Sequence, residues 1–443
     1  MFLTLLLSAA ATLQAQQPGS ALDSLARVAI ARNLAVRRAA ESERQADAAV
    51  SQARGLFLPA LGVEARYSRF DGVVNIGDFI NPAYATLNEL IGREAFPTNI
   101  DATLPFRQES KLRGTVPLFN GALFANLAAA RSMRSLRGAE RAAAVRRLDA
   151  DVRIAWLDWA RAARAVEILD AALPVIAENA RAAQRLVDAG SATPDAVLRA
   201  RADLAEARQL RGDAARLRDA ARGALNLLLD RAPDAPVPAF GDDALPPLPV
   251  VTLADALAAS RRREEFAMAG AAVDGARAQG RAATSAYLPS VSLAAEYGIQ
   301  GNAYQFDRSH DVAMGTVVLS WNLFNGAQDA ARRGAAAAAE RGAELQRTEV
   351  ERQVALDVRM AWDAVAVARE ALAASTERLG AARAAFTLVD RRFTEGFAPH
   401  LEWSDARARL TAAELNVALS RYALAARVVN LERAAALRTV TFN

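Results

Sequence analysis

The sequence has no cysteine and few residues of the kinds that bind metals or carry out catalysis. Of its 443 residues, two are histidine, five are methionine and 6% are aromatic. Without cysteine the chain can form no disulfide, thiolate metal site, cysteine nucleophile or lipidated N-terminal cysteine. The two histidines, His310 and His400, lie in different regions, and no Ser/His/Asp set or glycine-rich phosphate loop is present. We therefore expect no enzyme activity, no cofactor and no metal site.

Long apolar runs and tracts of a single charge are also missing. The net charge is +4, and arginines alternate with acids along the chain, so we expect no nucleic-acid partner. Beyond the N-terminus, no stretch of about 20 uncharged apolar residues predicts a transmembrane helix. Residues 1–15 have a short apolar core followed by small residues, which predicts a signal peptide cut after Ala15. A buried N-terminal helix is the alternative.

A heptad pattern occurs twice. From Val354 to Phe393, apolar residues recur at alternating steps of four and three, and the same rhythm runs from Leu148 to Val187. A 3.5-residue period held this long predicts helices packed side by side. Because both ends of the pattern are displaced by the same 206 residues, the chain is predicted to contain two copies of one structural repeat.

Each copy also contains two segments of alternating polarity, which predict strands with one apolar and one polar face. The first strand has Leu61 and Val63 on one side and Glu64 on the other, and the run Val312, Met314, Thr316 and Val318 marks the fourth. The predicted strands cover about 60–70, 109–119, 290–300 and 311–322.

The predicted layout is a first repeat over 16–230, a proline-rich linker over 231–250, a second repeat over 251–438 and a tail over 439–443. The hairpin helices are predicted over 121–189 and 195–229 in the first repeat, and over 326–394 and 401–437 in the second. Single helices are expected over 22–55 and 252–285, and a long loop over 71–106. Asn120 is placed to cap the first long helix, and Pro174 should kink or break it.

Two strand pairs with an apolar face have no second layer to cover them in a soluble protein. In an outer-membrane barrel the apolar face meets lipid and the polar face meets a water-filled lumen. Four strands cannot close a barrel, and open edges are not tolerated in lipid. The pattern therefore predicts an oligomer in which several copies share one barrel.

The whole mature chain resembles the TolC-like outer-membrane efflux proteins. The resemblance lies in the duplicated layout, in the Leu-Phe-Asn-Gly junctions at Leu118–Gly121 and Leu323–Gly326, and in the turns Gly190–Ala200 and Gly396–Asp405. It implies a mainly α fold with a small transmembrane β part, a homotrimer with a twelve-stranded barrel, and a periplasmic α-helical barrel. It also implies a Gram-negative outer-membrane exit duct that works with a periplasmic adaptor and an inner-membrane transporter.

The resemblance also implies site residues. Glu402 and Asp405 lie where the family has an acidic ring at the periplasmic gate, which would favour cations over anions. The alternative is a solvated first helical turn in which Asp405 pairs with Arg409. Where some relatives tie the closed gate with tyrosine and arginine, this chain has Phe393 and Ala398. Candidates for adaptor contact at the two hairpin tips are Gly190, Thr193, Asp195, Gly396 and Pro399.

A second hypothesis is a secreted periplasmic coiled-coil scaffold or adaptor without a pore. It explains the heptads and the predicted signal peptide. It does not explain two amphipathic strand pairs, each at the same place in its repeat.

Overall fold

A computed structural model defines the fold of residues 21–69, 74–102, 106–191, 193–239, 241, 245–302, 304, 308 and 310–440. The expected signal peptide, residues 1–15, lies outside these described residues. In chain order the elements are α1 (Ala21–Arg32), α2 (Leu34–Gly55), β1 (Ala60–Tyr67), α3 (Gly77–Ile91), β2 (Gln108–Phe119), α4 (Gly121–Asp188), α5 (Pro194–Leu228), α6 (Leu253–Ala259), α7 (Glu264–Ser285), β3 (Ser290–Gly301), β4 (Asp311–Ser320), α8 (Gln328–Thr394) and α9 (His400–Ala434).

The lengths of the elements agree with a duplicated chain. The long helices α4 and α8 have 68 and 67 residues, and the return helices α5 and α9 have 35 each. Among the described residues, no helix contains a stretch that is both long and apolar enough to cross a lipid bilayer.

The chain forms two compact units, and each takes segments from both sequence repeats. Unit 1 comprises Met1–Glu43, Arg137–Ala269 and Arg347–Asn443, and unit 2 comprises Arg44–Leu136 and Gly270–Gln346. The repeats predicted from the sequence, 16–230 and 251–438, do not coincide with these compact units.

Unit 2 contains a four-stranded antiparallel sheet in the order β1-β2-β3-β4. Val63 pairs with Leu112, and Leu112 pairs with Tyr297, so apolar residues of three strands share one face. Glu64 pairs with Lys111 on the other face. Within the described chain, the outer edges of β1 and β4 have no strand partner.

The register corrects one expectation about β4. Met314 pairs with Glu296, which places Val312, Met314, Thr316 and Val318 on the charged side of the sheet. The apolar face continues instead through Val317, which pairs with Leu293, and through Leu319. Every position from Val312 to Leu319 is small or apolar apart from Thr316, so alternation within this strand could not indicate which side faces the charges.

The core of unit 1 is helical. Trp156 is almost fully buried and packs with α4 neighbours such as Val152, with Leu22 of α1 and with Val429 of α9. Trp362, which lies 206 residues after Trp156, packs against a second buried cluster around Val358 and Leu431. Both tryptophans therefore serve packing. The linker also packs here, because the indole N–H of Trp156 donates to the carbonyl of Pro238 at 3.3 Å.

The two hairpin turns have the same backbone hydrogen bonds. After α4, Gly190 has φ +69°, and the N–H of Ser191 bonds to the carbonyl of Leu186. After α8, Gly396 has φ +81°, and the N–H of Phe397 bonds to the carbonyl of Arg392. These are Schellman caps with glycine in the left-handed conformation, and they lie 206 residues apart.

The caps lead to a stability prediction. Gly190→Ala should lower the free energy of unfolding by about 1 kcal/mol, because alanine is strained at this positive φ. Gly212 lies inside α5, and a methyl group there would meet no atom within 4 Å. Gly212→Ala should therefore raise the free energy of unfolding by up to about 1 kcal/mol. Thermal unfolding followed by circular dichroism measures both, and equal shifts of one sign would contradict the prediction.

Three of the expected elements differ from those observed. The helix expected over 22–55 is interrupted at Asn33, whose side chain accepts from the N–H of Ala35 and donates to the carbonyl of Leu228. The helix expected over 252–285 is divided into α6, a 3₁₀ turn over Ser260–Arg262 and α7. The long loop expected over 71–106 contains α3.

The long helices also differ in detail. A kink or a break was expected at Pro174, and of these two the break does not occur, because α4 continues through Pro174. Asn120 caps α4 as expected, since its side-chain oxygen accepts from the N–H of Ala122 at 3.0 Å. At the second junction Gly326 and Ala327 both have positive φ, and α8 begins at Gln328 instead of 326.

Candidate gate and channel surfaces

The turn between α8 and α9 holds the two predicted gate acids. Glu402 accepts a hydrogen bond from Nη1 of Arg392 at 2.9 Å. Asp405 accepts from Nε of Arg409 at 2.8 Å, which is the pairing that the alternative for this site predicts. Both carboxylates reach solvent. Each acid therefore has an arginine of its own chain beside it, and the local charge is close to balanced.

An aromatic cluster lies beneath these acids. Trp403 is buried, with its ring centroid 5.9 Å from Phe386 and 5.6 Å from Phe393. Its indole N–H donates to Asp390 at 2.8 Å. Trp403 was not predicted from the sequence, although Phe386 and Phe393 belong to the heptad pattern and mark the face on which a ring would pack. The cluster fixes the first turn of α9 against the last turns of α8.

Two side-chain contacts join α9 to the first hairpin. Nε2 of His400 lies 2.8 Å from Nδ2 of Asn179 on α4. The hydroxyl of Ser404 donates to the carboxylate of Asp203 on α5. Phe393, at the position where some relatives have tyrosine, stacks edge-on with His400 at 6.3 Å. Ala398 is buried. The two hairpins of this chain are thus joined through His400 and Ser404.

The first hairpin tip is exposed and well capped. Thr193 precedes α5 in an extended conformation, and Pro194 occupies the first helical position, where proline loses no hydrogen bond. The Thr193 side chain hydrogen-bonds Asp195 and holds the pKa of that carboxyl below its usual value. Arg199 lies 3.3 Å from the same carboxylate. Of the adaptor-contact candidates, Gly190, Thr193 and Asp195 lie at this tip, and Gly396 and Pro399 lie at the other.

The charged face of the sheet has a balanced network. Arg66 donates to Glu109 at 2.5 Å, and Glu296 lies 3.3 Å from Arg113 and 3.4 Å from Lys111. With Glu64, these side chains line a cavity of about 140 Å³. Three acids and three bases on one face of a sheet require water, because burying them in an apolar medium would be costly.

The opposite face of the sheet is apolar and uncovered. Its exposed side chains are Leu61, Val63, Tyr67, Leu112, Tyr297, Val317 and Leu319. An exposed apolar surface of this extent is typical of contact with lipid or another protein. Among the described residues, no group of three or more His, Asp or Glu side chains could hold a metal ion.

Comparisons with known proteins agree with this arrangement. The family model described as outer membrane efflux protein matches residues 25–231 and 257–437, which is most of the chain. A comparison with curated protein sequences found no match.

Several solved outer-membrane channels share the fold. CusC superposes with a TM-score of 0.79 at 18% identity, covering 94% of this chain and 91% of CusC. The MtrE channel of Neisseria gonorrhoeae, in its open state, gives 0.76 at 22% identity, covering 94% and 88%. VceC of Vibrio cholerae gives 0.75 at 18% identity, covering 94% and 95%. The expected fold class is confirmed.

Proposed function

The chain belongs to the outer membrane efflux protein family, and we propose that three copies of it form one twelve-stranded barrel in the outer membrane of a Gram-negative cell. The observation that carries this proposal is a four-stranded sheet with an uncovered apolar face, a charged face and two open edges. In lipid, unpaired backbone groups at an edge cost several kcal/mol each. Pairing β1 of one copy with β4 of the next removes both edges from every copy.

The two faces of the sheet suit such a barrel. The apolar face of Val63 and Leu112 meets the acyl chains of the outer membrane. The face of Glu64, Lys111 and Glu296 lines a water-filled lumen, in which charged side chains remain hydrated. A channel wall with nearly balanced charge conducts substrates of either sign, which suits an exit duct.

The duct is passive and belongs to a tripartite efflux or type I secretion system. An inner-membrane transporter supplies the energy and a periplasmic adaptor joins the two, as family membership favours. The exposed turns at Gly190–Asp195 and Gly396–Pro399 are the surfaces that we assign to the adaptor. Their rigid glycine caps hold the turns in one conformation before a partner binds, which lowers the entropic cost of docking.

The gate lies at the second turn. Three copies bring six carboxylates, from Glu402 and Asp405, around the periplasmic end of the duct. Because Arg392 and Arg409 pair with them, the ring is held by ion pairs that a change in the hairpin can redistribute. The contacts of His400 with Asn179 and of Ser404 with Asp203 hold the second hairpin against the first in the resting state.

The lipid-facing role of Val63 can be tested directly. Its side chain is 81% exposed in a single chain. An arginine on the lipid face costs about 2–4 kcal/mol near the middle of a bilayer, so Val63→Arg should reduce the amount of outer-membrane trimer by at least about tenfold. Glu64→Arg, one residue away on the lumen face, should leave most of the trimer in place. Native mass measurement of detergent-extracted outer membranes counts the trimer.

The same experiment distinguishes the proposed barrel from the alternative hypothesis. A periplasmic scaffold without a pore has no lipid-facing strand, and an exposed valine would tolerate arginine. A wild-type protein that is monomeric and soluble without detergent, or a Val63→Arg protein that assembles as well as Glu64→Arg, would overturn the proposed function.

A further inference from the structure

Within the connection between β1 and β2, residues 74–102 are folded, and three asparagines hold them. The side-chain amide of Asn81 donates to the carbonyl of Ile100 at 2.9 Å, and its oxygen accepts from the N–H of Ile100 at 2.8 Å. Asn88 accepts from the N–H groups of Ala95 and Phe96 and donates to the carbonyl of Phe96. Asn75 accepts from the N–H groups of Gly77 and Ala102. Together they fasten the returning chain along α3.

Packing fixes the same arrangement. A methyl group on Gly77 would overlap the carbonyl oxygen of Ile100, so only glycine fits at this approach. Tyr84 packs on Phe96 from the inner side of α3, with ring centroids 5.2 Å apart. The amide of Asn302, after β3, donates to the carbonyl of Asp101 at 3.2 Å. The segment is therefore a rigid element fixed to this end of the sheet.

The outward side of α3 has one apolar flank and one acidic flank. Phe79, Ala83, Leu87 and Leu90 follow one another at helical spacing along the apolar flank. Phe79 is 74% exposed and Leu90 is 78% exposed. The acidic flank carries Asp78 and Glu89, and α3 contains no lysine or arginine.

The charge and position of α3 indicate what covers this flank. Helices that lie on anionic membrane surfaces are rich in lysine and arginine, and α3 has only acids. The segment follows β1, whose outer edge has no strand partner in the described part of the chain. In the sheet, β1 begins after α2 and β2 leads into α4, so both helices join the same end of the strand pair. The segment with α3 connects the end of β1 to the start of β2 and therefore lies at the opposite end of the sheet. A copy that pairs with the edge of β1 therefore arrives next to α3.

We propose that the apolar flank of α3, formed by Phe79, Ala83, Leu87 and Leu90, packs against neighbouring copies of this chain and forms a cap at the outer mouth of the barrel. This inference rests on the proposed trimer. The shorter connection between β3 and β4 has no corresponding helix among its described residues, so each copy contributes one such helix to the cap. Burial of the four apolar side chains would drive the contact.

A photo-crosslinker tests the contact without presuming the partner. Benzoylphenylalanine at position 90, in Leu90→Bpa, should give a product of about twice the chain mass of 47.1 kDa after irradiation of the intact protein in outer membranes. Glu89→Bpa, on the acidic flank, is the matched control and should give at least about fivefold less of that product. Absence of a double-mass product from position 90, attachment of lipid alone, or a product containing a different protein would overturn the inference.

A second measurement tests the cap. Phe79→Ser combined with Leu90→Ser should raise the single-channel conductance in planar bilayers, whereas Glu89→Gln should leave it unchanged. An unchanged conductance of the double variant would refute a cap over the mouth. Native mass of the same samples separates the two proposals, because a trimer without crosslinking contradicts only the cap, and a monomer contradicts the proposed function itself.

Discussion

Replacing Arg153 by methionine is expected to lower the free energy of unfolding by about 3–5 kcal/mol, which is typical when one partner of a buried ion pair is removed. The Arg153 side chain is only 3% exposed and contacts the carboxylates of Asp149 and Asp23. Burial disfavours its charge, but these two carboxylates outweigh that cost and raise the pKa of Arg153. Methionine fills similar space and leaves both acids without their main partner.

The other charged groups around Arg153 explain why the expected loss of stability is large. The Glu432 side chain is only 14% exposed here, and Arg438, which donates to Asp23 at 2.5 Å, is the second cation of the cluster. Three acids would then share one arginine. Burial raises the pKa of Glu432, with Arg438 and Arg153 opposing the shift. This carboxyl therefore binds its proton more tightly in the folded state than in the unfolded chain.

Two further variants provide comparisons for the stability of Arg153→Met. A raised carboxyl pKa means that stability falls as pH rises from the unfolded value of about 4.5 through the folded pKa. Glu432→Gln should therefore be neutral or stabilising at pH 7. Arg216→Ala removes an arginine that is 85% exposed and lies 3.5 Å from Asp213, and it should cost less than about 1 kcal/mol.

Denaturant unfolding of the detergent-solubilised protein, followed by circular dichroism at one protein concentration, measures all three variants. If Arg153→Met and Arg216→Ala lowered stability equally, the buried cluster would not contribute as argued.

Removing both predicted gate acids, in Glu402→Ala with Asp405→Ala, is expected to weaken the block of single-channel current by divalent cations by at least about tenfold. The structure suggests why the effect should be this large. Arg392 and Arg409 remain after the acids are removed, so the proposed three-copy ring would change from nearly balanced to strongly positive. A loss of about 1.4 kcal/mol in cation affinity corresponds to a factor of ten, and six removed carboxylates can supply it even when each contributes a few tenths of a kcal/mol.

Planar-bilayer recordings with increasing magnesium measure the block, and reversal potentials in a salt gradient should shift toward anion preference. Arg392→Ala with Arg409→Ala is the charge-reversed control and should strengthen the block. Glu395→Ala removes an acid of the same turn that lies outside the predicted ring. Block that is unchanged in the acid variant, or reduced equally by Glu395→Ala, would remove the ring hypothesis.

Features that repeat in the sequence were predictable in position. The fixed displacement of 206 residues located both long helices. Glycine followed by proline located both hairpin turns, because glycine suits a left-handed helix cap and proline suits the start of the next helix. Pro194 is the first residue of α5, and Pro399 immediately precedes α9. The strands β1, β2 and β3 followed from their alternation. The side of β4 that faces the charges did not follow from the sequence, because apolar residues occupy both odd and even positions. Only the pairing of Met314 with Glu296 decides the face.

Features that depend on distant contacts were not predictable. Pro82 and the asparagines around α3 are typical of loops, yet Asn81 and Asn88 bond to residues that lie 19 and 8 positions later in the chain. His400 gave no sign of its contact in the sequence, because its partner Asn179 lies 221 residues earlier. Trp403 gave no signal of its own, because a single tryptophan in an amphipathic helix does not indicate which rings surround it.

The two open edges of the sheet have a consequence for assembly. In the proposed trimer, joining the first two chains removes two of their four unpaired edges. The third chain closes the ring and removes four, the two that remain on the pair and its own two. Partial assemblies should therefore be scarce, and the final subunit should add with far greater gain than the one before it.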